Sequence, residues 1–141
     1  MARTAARDLA LQVLFAKSLG GGGEPNDILS MSDGDSAGEV NPLEQDDYMY
    51  IDDVLLGAAR ARDDIDEAIE RNLKGWDIER LSRVDLCILR LAIYEMLNRE
   101  DIPVSVSANE AVELAHRYST DEAPMFINGV IGAVARELDR S

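Results

Sequence analysis

Few side chains in this sequence are arranged to make or break bonds, and one residue count decides most cases. The single histidine, His116, follows Glu113 at the Glu-x-x-His spacing that supplies di-metal ligands in helical bundles. Such a centre takes two copies of that motif, and one histidine cannot provide them, so His116 reads as a half-exposed helix residue. The same count leaves any Ser-His-Asp or Cys-His arrangement with one candidate base, and no Gly-x-Ser-x-Gly frames a nucleophile. Gly20–Gly23 has the composition of a phosphate cradle, but no strand precedes it and no Gly-Lys-Ser/Thr follows. It reads as linker. Nothing here spells an enzyme, and no cofactor or metal is implied.

Binding chemistry is better represented. Arg3 and Arg7 stand four residues apart, on one face of a helix start. They are either two solvated cations at a chain end or a clamp for the phosphates of RNA, assisted by the free amides of the first turn. Downstream, Phe126, Asn128 and Gly129 interrupt an otherwise apolar helix just after Pro124. Phe126 is either a core anchor or a platform for an unstacked base. Asn128 either satisfies helix-end carbonyls or reads a base edge. A glycine inside a helix costs about 1 kcal/mol against alanine, so close approach of another group to Gly129 is expected. Trp76 reads as a core staple.

Positioning these residues falls to helices. Thr4 to about Leu19 carries Ala6, Leu9, Ala10, Val13 and Leu14 on one stripe. The stretch from about 20 to 45 is rich in Gly, Ser, Asp and Pro and reads as a flexible acidic linker. From about Leu43 to Leu73 apolar residues recur at helical spacing, as one long helix or two broken near Arg62–Asp64, with Lys74-Gly75 as the stop. Asp77 and Ser82 are candidate N-caps. Leu86–Leu97 is apolar on nearly every side, which predicts a central buried helix. Asp101-Ile102-Pro103 stops it, and two helices follow, over about Val106–Tyr118 and Pro124–Leu138. No strand alternation occurs, so the fold class is all-α: one domain over residues 1–141.

Composition narrows the setting. The net charge of −14 argues against indiscriminate nucleic-acid binding, but it is unevenly spread. Met1–Lys17 holds three basic residues against one acid, whereas Ser18–Ala59 holds ten acids and neither Lys nor Arg. The lone cysteine, Cys87, reads as a small buried apolar residue and fits a reducing cytoplasm. No run approaches the ~18 apolar residues of a membrane span, and no secretion signal is read at the start.

Several segments, in order, resemble the NusB family of bacterial transcription antitermination factors. They are RTAARDLALQVLF at Arg3–Phe15, WDIERLSRVDLCILRLAIYEM at Trp76–Met96, the Asp101–Pro103 link into NEAVELA, and FINGV at Phe126–Val130. The resemblance implies an all-helical domain of two small bundles. It implies binding of boxA-type single-stranded RNA together with a ribosomal small-subunit protein acting as NusE, within an RNA polymerase antitermination complex that acts chiefly on ribosomal RNA operons. Carried over residue by residue, the RNA side falls on Arg3, Arg7, Glu122, Met125, Phe126 and Asn128, and the partner side on Glu79 and Asp85. Asp85 is expected to face solvent until a basic partner arrives. The arginine cluster is thinned here to two residues, Met125 stands where a lysine is frequent, and Gly132 where an aspartate is. Alternatives are a protein-interaction module or homodimer with little RNA binding, or an isolated domain of the kind attached to ribosomal RNA methyltransferases. Against the last stands the length, which leaves no room for a methyl-donor domain.

Overall fold

The computed structural model describes residues 4–19, 43–75 and 77–138. The expectations for Arg3, for Trp76 and for the linker up to residue 42 therefore lie outside the described residues.

Helix α1 (Thr4–Ser18) buries Ala6, Leu9, Ala10 and Val13, the stripe that helical periodicity predicts. Helix α2 (Gln45–Arg60) starts with a capping box in which the Glu44 amide donates to the Asp47 carboxylate at 2.8 Å. The second segment resolves into two helices. The break falls at Ala61, one residue ahead of the expected stretch, where ψ rises to 12° before α3 (Arg62–Arg71) begins. Gly75 then turns the chain with φ 80°, a left-handed conformation that side chains with a Cβ resist.

A short 3₁₀ turn (Ile78–Arg80) leads to α4 (Arg83–Asn98). Of the two expected caps, only Ser82 acts through its side chain, its Oγ accepting from the Asp85 amide at 3.1 Å; Asp77 makes no such bond. Helix α4 touches each of the other five described α-helices. Cys87 through Met96 is buried at every position but Arg90. A helix apolar on all sides needs neighbours on all sides, and α1 and α2 lie along part of it while α5 (Val104–Tyr118) and α6 (Ala123–Glu137) cover the rest. These two small bundles share α4 and one contiguous hydrophobic core. Among the described residues there is no strand.

Helix α5 begins at Val104, earlier than expected, because the Pro103 carbonyl accepts from the amides of Val106 and Ser107. Pro124 occupies the first turn of α6, where its missing N–H costs nothing. One glycine is dictated by close approach. A β-carbon at Gly57 on α2 would overlap the ring and hydroxyl of Tyr94 on α4, so only glycine lets these helices meet here.

Candidate binding surfaces

The two arginines of the expected phosphate clamp do not form a surface pair. Arg7 is 1% exposed, turned inward between α4 and α5. Its Nε and Nη2 donate to the two carboxylate oxygens of Glu95 at 2.9 and 3.2 Å, and Nη1 lies 3.5 Å from Glu110. The Tyr50 hydroxyl donates to the same Glu95 carboxylate, and Ser107 Oγ donates to it at 2.8 Å. The Tyr50 ring lies 5.5 Å from the guanidinium carbon. Burial by itself would lower the Arg7 pKa, but the hydrogen bond and charge of Glu95 outweigh it, so the group is held above its ordinary value. Burial, with Glu95 alongside, drives the Tyr50 hydroxyl well above the usual tyrosine range.

This corrects the reading of Arg7 as an RNA ligand. A buried acid demands a charged, hydrogen-bonded partner, and the i+4 stripe of α1 turns Arg7 to meet it. Glu95, Tyr50 and Ser107 were missed in the sequence. The signal was there: a glutamate inside Leu86–Leu97 has nowhere to go but the core.

The α6 start keeps the other expected RNA-side residues together. Glu122 sits at the N-cap position and is exposed, making no cap bond with its side chain. Met125 is 84% exposed, which is unusual for a large apolar side chain. Asn128 is also exposed, so it caps no buried carbonyl. Phe126 is half-buried and packs on the core while keeping part of its ring accessible. Among the described residues no group approaches Gly129: a β-carbon there would meet nothing within 4 Å. The close approach expected from the sequence is therefore absent within the described residues. Met125, Asn128, Gly129 and Gly132 share one helical face. From Ser119 to Val134 the chain has no Lys or Arg, so this face brings no positive charge of its own.

On the partner side, Glu79 is exposed in the 3₁₀ turn. Asp85 departs from expectation. It is half-buried, and its carboxylate accepts from Ser119 Oγ at 2.6 Å. That bond ties the first turn of α4 to the C-cap residue of α5, three residues before Glu122. The acidic start of α4 and the α6 entry thus adjoin.

Sequence reasoning also missed a polar cluster joining α1 to α5. The Asp8 carboxylate accepts from Arg117 and, at 2.5 Å, from the Tyr118 hydroxyl. Burial and then Asp8 push the Tyr118 pKa up to about 12. Cys87 is buried, as its setting predicts, and burial raises its thiol pKa. His116 is exposed, and among the described residues no three His, Cys, Asp or Glu side chains gather as metal ligands. No described helix is long and apolar enough to cross a membrane.

The described residues thus form an all-helical scaffold on which Glu79 and Asp85 lie on one face and the α6 residues on an adjoining one. The sequence profile of the NusB family matches residues 4–136, and the chain belongs to that family. The transcription antitermination protein NusB of Acetivibrio thermocellus is 41% identical over 136 residues, covering 96% of this chain and 90% of that protein. That of Clostridium novyi is 41% identical over 132 residues, covering 94% and 96%. Among solved structures, T. maritima NusB superposes with a TM-score of 0.81 at 29% identity, covering 97% of this chain and 94% of that one. NusB in a crystal structure of antitermination factors NusB and NusE with double-stranded RNA gives 0.75 at 28%, covering 96% of both chains.

Proposed function

We propose that this chain is a non-enzymatic transcription antitermination factor acting in the cytoplasm. It binds boxA-type single-stranded RNA jointly with a ribosomal small-subunit protein in the role of NusE, and so suppresses premature termination, chiefly on ribosomal RNA operons. The observation that carries this reading is the near full-length match to antitermination proteins, reinforced by likeness to a NusB seen with NusE and RNA.

The geometry supports a division of labour. The α6 face offers an accessible aromatic edge at Phe126, a thioether at Met125 and an amide at Asn128, with open backbone at Gly129. Those groups can stack on and hydrogen-bond to unstacked bases without neutralising phosphate. The acids Glu79 and Asp85 suit a basic protein, which would supply the cations that this −14 chain lacks on its RNA side. The adjoining of Asp85 and the α6 entry through Ser119 lets one RNA strand touch both proteins.

The test is a fluorescence titration of labelled boxA-type RNA with the chain alone and with the ribosomal protein. Binding by the chain alone should be weak, with a log–log salt slope no steeper than roughly −0.7 per phosphate held. The partner should both tighten binding and steepen the slope. Met125→Ala and Asn128→Ala, at exposed positions, should weaken the ternary complex and leave the melt unchanged. A parent that shows no boxA preference even with the partner present would replace this reading with that of a protein-interaction module.

A further inference from the structure

A second surface lies apart from both faces. The ends of α1 and α2, the start of α3 and the first half of α4 enclose an open groove of about 460 Å³. Its floor is aliphatic, with Leu14, Leu55, Leu86 and Ala58. Four cations stand around it, Lys17, Arg62, Arg83 and Arg90, and among the described residues no carboxylate lines it. The chain has twice as many acids as bases, 28 against 14, so a wall whose described charged residues are all bases runs against its whole composition.

The four cations are not equally committed. Arg90 is held by Asp66 through two hydrogen bonds, at 2.8 and 2.9 Å. Arg83 donates to the Ser18 carbonyl at 2.6 Å and has no ion-pair partner among the described residues. Arg62 reaches Asp66 only at 3.9 Å, with its side chain 64% exposed, a contact worth little in water. Lys17 is exposed and has no ion-pair partner among the described residues. Apolar surface continues outward on the same elements, at Leu56 on α2 and at Leu19 just past α1, each 59% exposed.

We propose that this groove docks an acidic amphipathic helical segment of another protein. Charge complementarity sets the sign of the ligand, and the aliphatic floor calls for apolar side chains spaced to enter it, as in helix-in-groove recognition. Single-stranded RNA matches the charge but not the floor. Among the described residues no aromatic ring lines the groove, so bases would find nothing there to stack on. The acids Glu79 and Asp85, meant for a basic partner, are not among its lining residues. The groove therefore adds a contact of opposite sign to the chain's repertoire.

The probe is a fluorescein-labelled peptide with leucines at i, i+3, i+4 and i+7 and glutamates between, titrated against the full chain by anisotropy. Saturable binding that weakens with salt is expected, with none for a scrambled peptide. The double variant Lys17→Glu, Arg62→Glu should bind roughly tenfold more weakly or worse. Ala59→Glu, at an exposed lining position, should add repulsion and bulk, whereas Lys74→Glu, outside the groove, should change nothing. Unchanged melting curves would show that all variants are folded. No binding, or equal binding of the scrambled peptide, overturns the proposal. So does displacement of the peptide by oligouridylate that is lost in the same variants, which would make the groove an RNA site. Much tighter peptide binding after residues 20–42 are replaced by a Gly/Ser linker would assign the groove to the chain's own segment. Loss of self-association in the groove variants would assign it to a second copy; either result overturns it.

Discussion

Arg7→Ala separates the two roles that an arginine near the N-terminus could have. In the structure this truncation removes two hydrogen bonds, at 2.9 and 3.2 Å, from a Glu95 carboxylate that is itself 1% exposed. Glu95 keeps its hydroxyl donors, Tyr50 and Ser107, but loses the facing cation. Breaking a buried pair from one side costs about 3–5 kcal/mol, because an uncompensated charge stays behind. A void of about 10 Å³ already lies beside Arg7, and truncation enlarges it enough to admit water, which points to the lower end of that range. Arg7→Lys should recover only part of the loss, since an ammonium cannot make the two-pronged contact. Urea denaturation monitored by far-ultraviolet circular dichroism measures the difference directly. RNA titrations under conditions where both proteins are folded should show the same salt slope for variant and parent. A stability loss below about 1 kcal/mol, together with a slope flattened by roughly one phosphate, would refute the reasoning and return Arg7 to the surface.

Gly57→Ala should destabilise the fold by about 1–3 kcal/mol in a denaturant melt, although alanine is the better helix former, because its methyl group would overlap Tyr94. Asp85→Ala should cost about 1 kcal/mol through the lost Ser119 bond and also weaken association with the basic ribosomal protein in calorimetric titration. The Tyr118 pKa is raised to about 12 from an ordinary 10, so folding favours the protonated phenol. Its stabilising contribution is complete below about pH 10 and fades as the pH rises to about 12; a tyrosinate-absorbance titration of parent against Tyr118→Phe checks the midpoint. Replacing Glu24–Asn41 with a short Gly/Ser linker should barely move the melting temperature, since each doubling of a loop's length costs only about 0.6 kcal/mol.

Much of this protein was legible along one dimension. Periodicity fixes which residues of a helix share a face, so the stripe of α1 and the all-round burial of α4 could be read locally. Turn chemistry behaved likewise: Gly75, Ser82 and Pro103 mark boundaries because dihedral limits and capping bonds involve only near neighbours. The family resemblance is also a property of residue order.

Tertiary structure decided what each polar residue on those faces meets. Arg7 and Glu95 are 88 positions apart, and nothing in either segment says that one neutralises the other. Only when α1 packs on α4 does the arginine leave the list of surface cations. Asp85 and Ser119, 34 positions apart, are joined in the same way. Gly57 shows no local reason to be glycine until Tyr94 arrives, whereas Gly129, where close approach was expected, faces open space. The basic groove draws its residues from four helices, so no window of sequence contains it. Backbone geometry acts over a few residues and is written in order. Electrostatic pairing and shape complementarity act through space and are set by which helices become neighbours.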